Sequence, residues 1–161
     1  MRPGCDAVLM HPRFSELTMQ CLLKAGWRPG RNVALPGEAE AELRADGHAL
    51  LPSARAFLAE FGGLTVVHPH ARAPASPDRF VIDALLAAKG TDSGWVREYE
   101  RRSGEPALTP VGEAARGYLI MCMGAGSHVY GGYDDFLIRL GTSGDDAIEG
   151  LCTGREAPHV G

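Results

Sequence analysis

The sequence predicts a sheet with helices packed against it, and three features of one stretch predict this. Tyr118 to Met123 (YLIMCM) is apolar at every position, as a strand covered on both faces must be. Gly124-Ala125-Gly126-Ser127 then supplies residues that tolerate positive φ, and HVY (128–130) returns as the second strand of a hairpin. Phe136 to Leu140 (FLIRL) gives a third strand, with Gly131-Gly132 expected to break the second. Ser143 then stands three residues before Asp146, so its side chain can cap a helix whose first turn is acidic. Ala147, Ile148, Leu151 and Cys152 form one buried face of that helix.

Earlier in the chain, Phe14, Leu17, Cys21, Leu22 and Ala25 recur at helical spacing, and Gly26 ends the run. The turn GWRPGR carries Trp27, a candidate core anchor. Asn32 to Leu35 is a short candidate strand, and Pro36 opens an exposed acidic helix that ends near Gly47. Pro52-Ser53 opens another helix, with Ala54, Phe57, Leu58 and Phe61 on its inner face and Gly62-Gly63 as its stop. Leu64 to Val67 reads as a strand, HPHARAPASPD as a loop, and Phe80 to Ile82 as a further strand. Asp83 to Lys89 and Asp92 to Arg102 read as short helices, with Trp95 and Tyr99 on one side of the second. Residues 1–12 are expected as a loose lead-in, 13–154 as a single domain and 155–161 as a frayed tail.

A chain of 161 residues suits one domain with one core. Residues 1–80 carry 9 basic and 8 acidic groups, residues 81–161 carry 7 and 12, so the second half is acidic. This argues against direct nucleic-acid binding and for a basic partner. No apolar run approaches the ~20 residues that span a bilayer, and the N-terminus lacks a signal-peptide core. Cys5, Cys21, Cys122 and Cys152 have no paired short spacing, so a reduced, cytoplasmic protein is expected.

The search for chemistry is largely empty. His68 and His70 would share a face if extended, but no third ligand completes a metal site and Pro69 favours a loop. Gly124-x-Gly126 lacks the third glycine and the following helix of a phosphate turn. Ser127-His128 has no nucleophile elbow around it. Glu98 and Glu100 share a helix with Arg97, Arg101 and Arg102, a surface charge network rather than a carboxylate dyad. No catalytic, metal or cofactor site is therefore expected.

Three blocks taken together resemble the SUKH superfamily of bacterial immunity proteins, most closely its third subfamily. They are KAGWRPGR (24–31), ALLPSARAFLAEFGGLTV (49–66), and LTPVGEA, HVYGG and LIRLGTSGDDAIEGL in sequence. The turn CMGAGS is more apolar than is usual there, and HPHARAPASP is idiosyncratic. The resemblance implies an α+β domain with a mixed, largely antiparallel sheet and helices packed around it. It also implies an antidote that binds a cognate polymorphic toxin, often a nuclease, without catalytic residues of its own. A general interaction or scaffold module on the same fold is the alternative, and a small hydrolase or metalloenzyme using His68, His70 or His128 is the third reading. For a basic toxin, Asp134 and Asp135 are the first candidate contacts, with Glu38, Glu40 and Glu42 second.

Overall fold

The computed structural model describes residues 12–161, and in it six antiparallel strands run in sequence order as one open sheet. They are β1 (Thr65–His68), β2 (Asp78–Ile82), β3 (Leu108–Ala114), β4 (Leu119–Gly124), β5 (Val129–Tyr133) and β6 (Phe136–Gly141). Six helices accompany them: α1 (Glu16–Ala25), α2 (Gly37–Ala45), α3 (Pro52–Phe61), α4 (Ala84–Lys89), α5 (Ser93–Ser103) and α6 (Gly144–Thr153). The fold class is α+β, and the sheet is antiparallel throughout.

β4 lies inside the sheet, between β3 and β5, and its side chains supply two cores. Met121 and Met123 point into the larger one, with Leu22 of α1, Phe57 and Phe61 of α3 and Ile148 of α6. Ile120 and Cys122 point into the smaller one, beneath Val96 and Tyr99 of α5. A strand apolar at every position satisfies the alternation of its side chains only by being covered twice. Ile120 thus belongs to the second core rather than to a single contiguous one.

The Ser143 cap forms as the sequence anticipates, and three further side chains cap helices in the same way. Ser15 accepts a hydrogen bond from the Thr18 N–H, Asp83 from Leu86, Asp92 from Gly94 and Ser143 from Asp146. Trp27 is buried, lies stacked at 6.4 Å from Phe61, and donates its indole N–H to Glu60. Glu60 and Asp145 share the guanidinium of Arg13, which ties the start of α1 to α3 and α6. Cys21, Cys122 and Cys152 are free and buried.

Five expectations need correction. Leu17 is exposed, because the buried face of α1 runs through Thr18, Cys21 and Leu22, one residue round the helix. Asn32 to Leu35 joins no strand; the Val33 N–H bonds Ala59, and Arg31 bonds the Glu60 and Gly62 carbonyls. The segment therefore satisfies the open carbonyls at the end of α3 instead of a sheet edge. α2 is half buried, since Ala39 and Leu43 are inside. Gly131-Gly132 does not break β5 but sits within it.

The fifth correction concerns the tail. Residues 155–161 are not frayed beyond β6: His159 bridges Ile138, the Arg139 N–H bonds Pro158, and the Val160 N–H bonds Leu137. Val160 packs on the second core, and the imidazole of His159 meets the Phe136 ring edge-on at 5.1 Å. Unpaired N–H and C=O groups on β6 are what recruit it. The expected lead-in lies, except for Pro12, outside the described residues.

Phe57 sits 5.2 Å from the Phe61 ring and is buried against Gly144 of α6. Phe57→Ala should cost about 3–5 kcal/mol in urea unfolding, and Leu17→Ala no more than about 0.5 kcal/mol. Equal losses for the two would contradict this packing.

Candidate partner-binding cleft

The second-choice acidic residues lie on α2, and the fold uses part of that set. Glu38 is exposed, whereas Glu40 is half-buried and pairs with Arg44 at 3.8 Å and Arg55 at 3.1 Å. Glu42 is half-buried on the same helix. The acidic pair in the first turn of α6 is also committed. Asp145 holds Arg13. Asp146 accepts from the Thr142 N–H and pairs with Arg155, which together keep its carboxyl below the usual range.

Asp134 and Asp135 occupy the tight turn between β5 and β6. Asp134 takes a positive φ of 47°, a conformation that aspartate tolerates better than most residues. Both backbone carbonyls are used: Asp134 accepts from the Tyr99 hydroxyl at 2.7 Å and Asp135 from Arg102 at 2.6 Å. The side chains of both residues are exposed. The turn is thus fixed through its backbone while its charges face solvent.

That anchoring shapes the surface beside it. Tyr99 of α5 lies flat against Gly132 of β5, where an added Cβ would come within 2.4 Å of the ring. Glycine is required there because the helix side chain has no other way to reach the Asp134 carbonyl. Burial pushes the Tyr99 phenol up to about 12, so it stays a neutral donor. Trp95 stacks on Tyr99 one helical turn earlier, at 6.3 Å.

Between these groups opens a cleft of about 260 Å³. Ile120 and Gly132 floor it, Trp95, Tyr118 and Tyr133 wall it, and Asp134 stands at its rim. Tyr118 and Tyr133 are 71% and 56% exposed, the two most exposed aromatics among the described residues. The Glu113 carboxylate of β3 adjoins two lining residues without itself lining the cleft. Glu113 pairs in register with Ile120, and its two oxygens lie 2.8 and 3.3 Å from where a Cβ would stand on Gly90 and Gly117, which both line the cleft. Burial, with Asp83 nearby, pushes the Glu113 carboxyl above its usual range, against a counter-pull from Arg79.

Of the sequence-level candidates, the fold brings Asp134 to this cleft and leaves Glu38, Glu40 and Glu42 apart from it on α2. Tyr118, Tyr133 and Glu113 are the residues that the sequence did not single out for binding, while Trp95 reads there as either a partner contact or a core anchor. Tyr118 looked like the first residue of the apolar strand. It belongs instead to the turn 115–117, where Ala115 and Arg116 take positive φ and rotate the following side chain outward. The glycine after Arg116 is the signal that marks it.

The metal reading finds no support in the geometry. His68 is buried against the Phe80 ring at 5.7 Å, and the His70 imidazole accepts from the Arg72 N–H. Among the described residues, no group of His, Cys, Asp and Glu converges as a metal site. Among them, too, no helix is long and apolar enough to cross a membrane.

An antiparallel meander with helices on both faces defines an α+β domain. The chain belongs to the SUKH-3 immunity protein family, whose model matches residues 14–154. No curated protein and no solved structure matches the chain.

A carboxyl whose folded value lies above its ordinary value of about 4.5 subtracts stability as pH rises through that range, because the ionised form is the less favoured one in the fold. Glu113→Gln should therefore be more stable than wild type at pH 7. The difference should vanish below pH ~4, where both forms are neutral. Thermal melts across that range would check it, and a less stable variant at pH 7 would contradict it.

Proposed function

We propose that this chain is a cytoplasmic antidote that binds a cognate toxin domain and neutralises it by covering its working surface. The observation that carries this reading is the family match over residues 14–154. In this reading the chain performs no chemistry of its own and meets neither nucleic acid nor membrane directly. The toxin domain it suits is basic, since the second half of the chain carries 7 basic against 12 acidic groups. A nuclease fits that description, because a surface that holds phosphates must itself be positive. Occlusion by a folded acidic partner then blocks substrate through bulk and through like charge.

The test is co-expression. If a toxin domain is encoded beside this gene, bacteria producing it should die without the chain and grow with it. Purified chain and toxin domain should form one complex on a sizing column. Unprotected death, or capture of several unrelated cellular proteins and no toxin, would favour the scaffold reading instead.

A further inference from the structure

We infer that the cleft between Tyr118, Tyr133 and Trp95 receives the guanidinium of an arginine carried on an exposed loop of the toxin domain. This rests on the antidote reading and adds to it the docking surface and the chemistry of the contact. Four observations carry it.

The first is size. About 260 Å³ falls below the ~300–1,000 Å³ usual for small-molecule sites and suits one long side chain. The second is the walls. Two tyrosines exposed by 71% and 56% on fixed turns are aromatic faces already ordered for contact, and such residues dominate the energetics of interfaces. A planar cation stacks on such rings better than an ammonium does.

The third observation is Glu113. Its carboxylate adjoins two lining residues, Gly90 and Gly117, and burial and Asp83 push its carboxyl up while Arg79 pulls it down. Partial burial disfavours the ionised carboxylate in the free protein, and a guanidinium reaching it would bring two donors in bidentate geometry. The fourth is the rim. Asp134 lines the cleft and is exposed, and the exposed Asp135 follows it in the turn, so both act on encounter rate and orientation. The nearby Arg102 is already engaged by the Asp135 and Val160 carbonyls, and Arg116 by Pro77, so neither fills the place.

The partner's arginine would lie along the tyrosines with its plane toward Glu113. Trp95 and Tyr99 would keep the wall rigid, since they stack on each other and Tyr99 is held by Asp134. No covalent step is involved.

The experiment uses the full chain and an active-site-inactivated form of the toxin domain encoded beside it. Affinity and association rate are measured at low and at physiological salt for wild type, for Tyr118→Ala with Tyr133→Ala, for Glu113→Gln and for Asp134→Asn. The paired tyrosine variant should bind about 30-fold more weakly. Glu113→Gln should weaken binding about tenfold through faster dissociation, although it stabilises the free chain. Asp134→Asn should slow association at low salt, with a smaller effect at physiological salt. Circular dichroism melts confirm that each variant is folded.

If wild type binds and protects while both the tyrosine and the Glu113 variants stay within about twofold of it, the cleft is not the docking surface and the antidote reading stands. If only the tyrosine variant fails, the contact is apolar and the arginine assignment is overturned. If wild type itself neither binds nor protects, the antidote reading falls and this inference falls with it.

Discussion

A strand with no polar face cannot sit at a surface, and β4 has none. Its burial from both sides sets the requirement that the rest of the chain meets. One face needs α1, α3 and α6, which is why Leu22, Phe57, Phe61 and Ile148 meet Met121 and Met123 in the larger core. The other face needs α5, which brings Val96 and Tyr99 onto Ile120 and Cys122. An edge position is closed to β4, so the hairpins on either side must both form. β3 and β5 are those neighbours; β3 to β6 follow one another through short turns, whereas α4 and α5 lie between β2 and β3.

The smaller core also explains where the cleft lies. α5 has eleven residues and covers only part of its face of the sheet. At its N-terminal end Ile120 and Gly132 are left beside Trp95 and the turn tyrosines, with the Glu113 carboxylate adjoining at Gly90 and Gly117. The site arises where a core runs out of helix. Its polarity has the same origin: a β3 residue facing the covered side beyond the reach of the helix can be charged, but only at the cost of partial desolvation.

The fold was legible wherever one physical signal dominated. PSARAFLAEF has a single apolar stripe and a proline start, and it forms α3 with Ala54, Phe57, Leu58 and Phe61 inside. LIMCM was readable as a doubly covered strand, though Tyr118 before it is not part of β4, and Ser143 was readable as a cap, because neither reading depended on distant residues. Other features needed tertiary information. Asn32 to Leu35 has strand-like composition, but the open carbonyls of α3 compete for it. Gly131-Gly132 looks like a breaker until Tyr99 arrives to occupy the space a side chain would need. The tail has no apolar pattern to betray it, and only the unpaired edge of β6 explains its docking. The cleft was the least legible part, since it joins residues from α5, the 115–118 turn and the 132–134 turn. Asp134 was found by its charge. Tyr118 was hidden by its apolar neighbours, and Glu113 by its place in a strand.

Adjacent positions at this cleft are under different packing constraints. Gly132 is locked, because any side chain there meets the Tyr99 ring. Tyr133, one residue later, is mostly exposed and touches no core cluster. A lineage can therefore exchange Tyr118, Tyr133 or the carboxylates of the 134–135 turn at small cost to folding, while the backbone that presents them stays constrained. Such a division lets a protein drift toward a new partner through single substitutions without passing through an unfolded intermediate. The scaffold holds the geometry, and the rim is free to change its vocabulary.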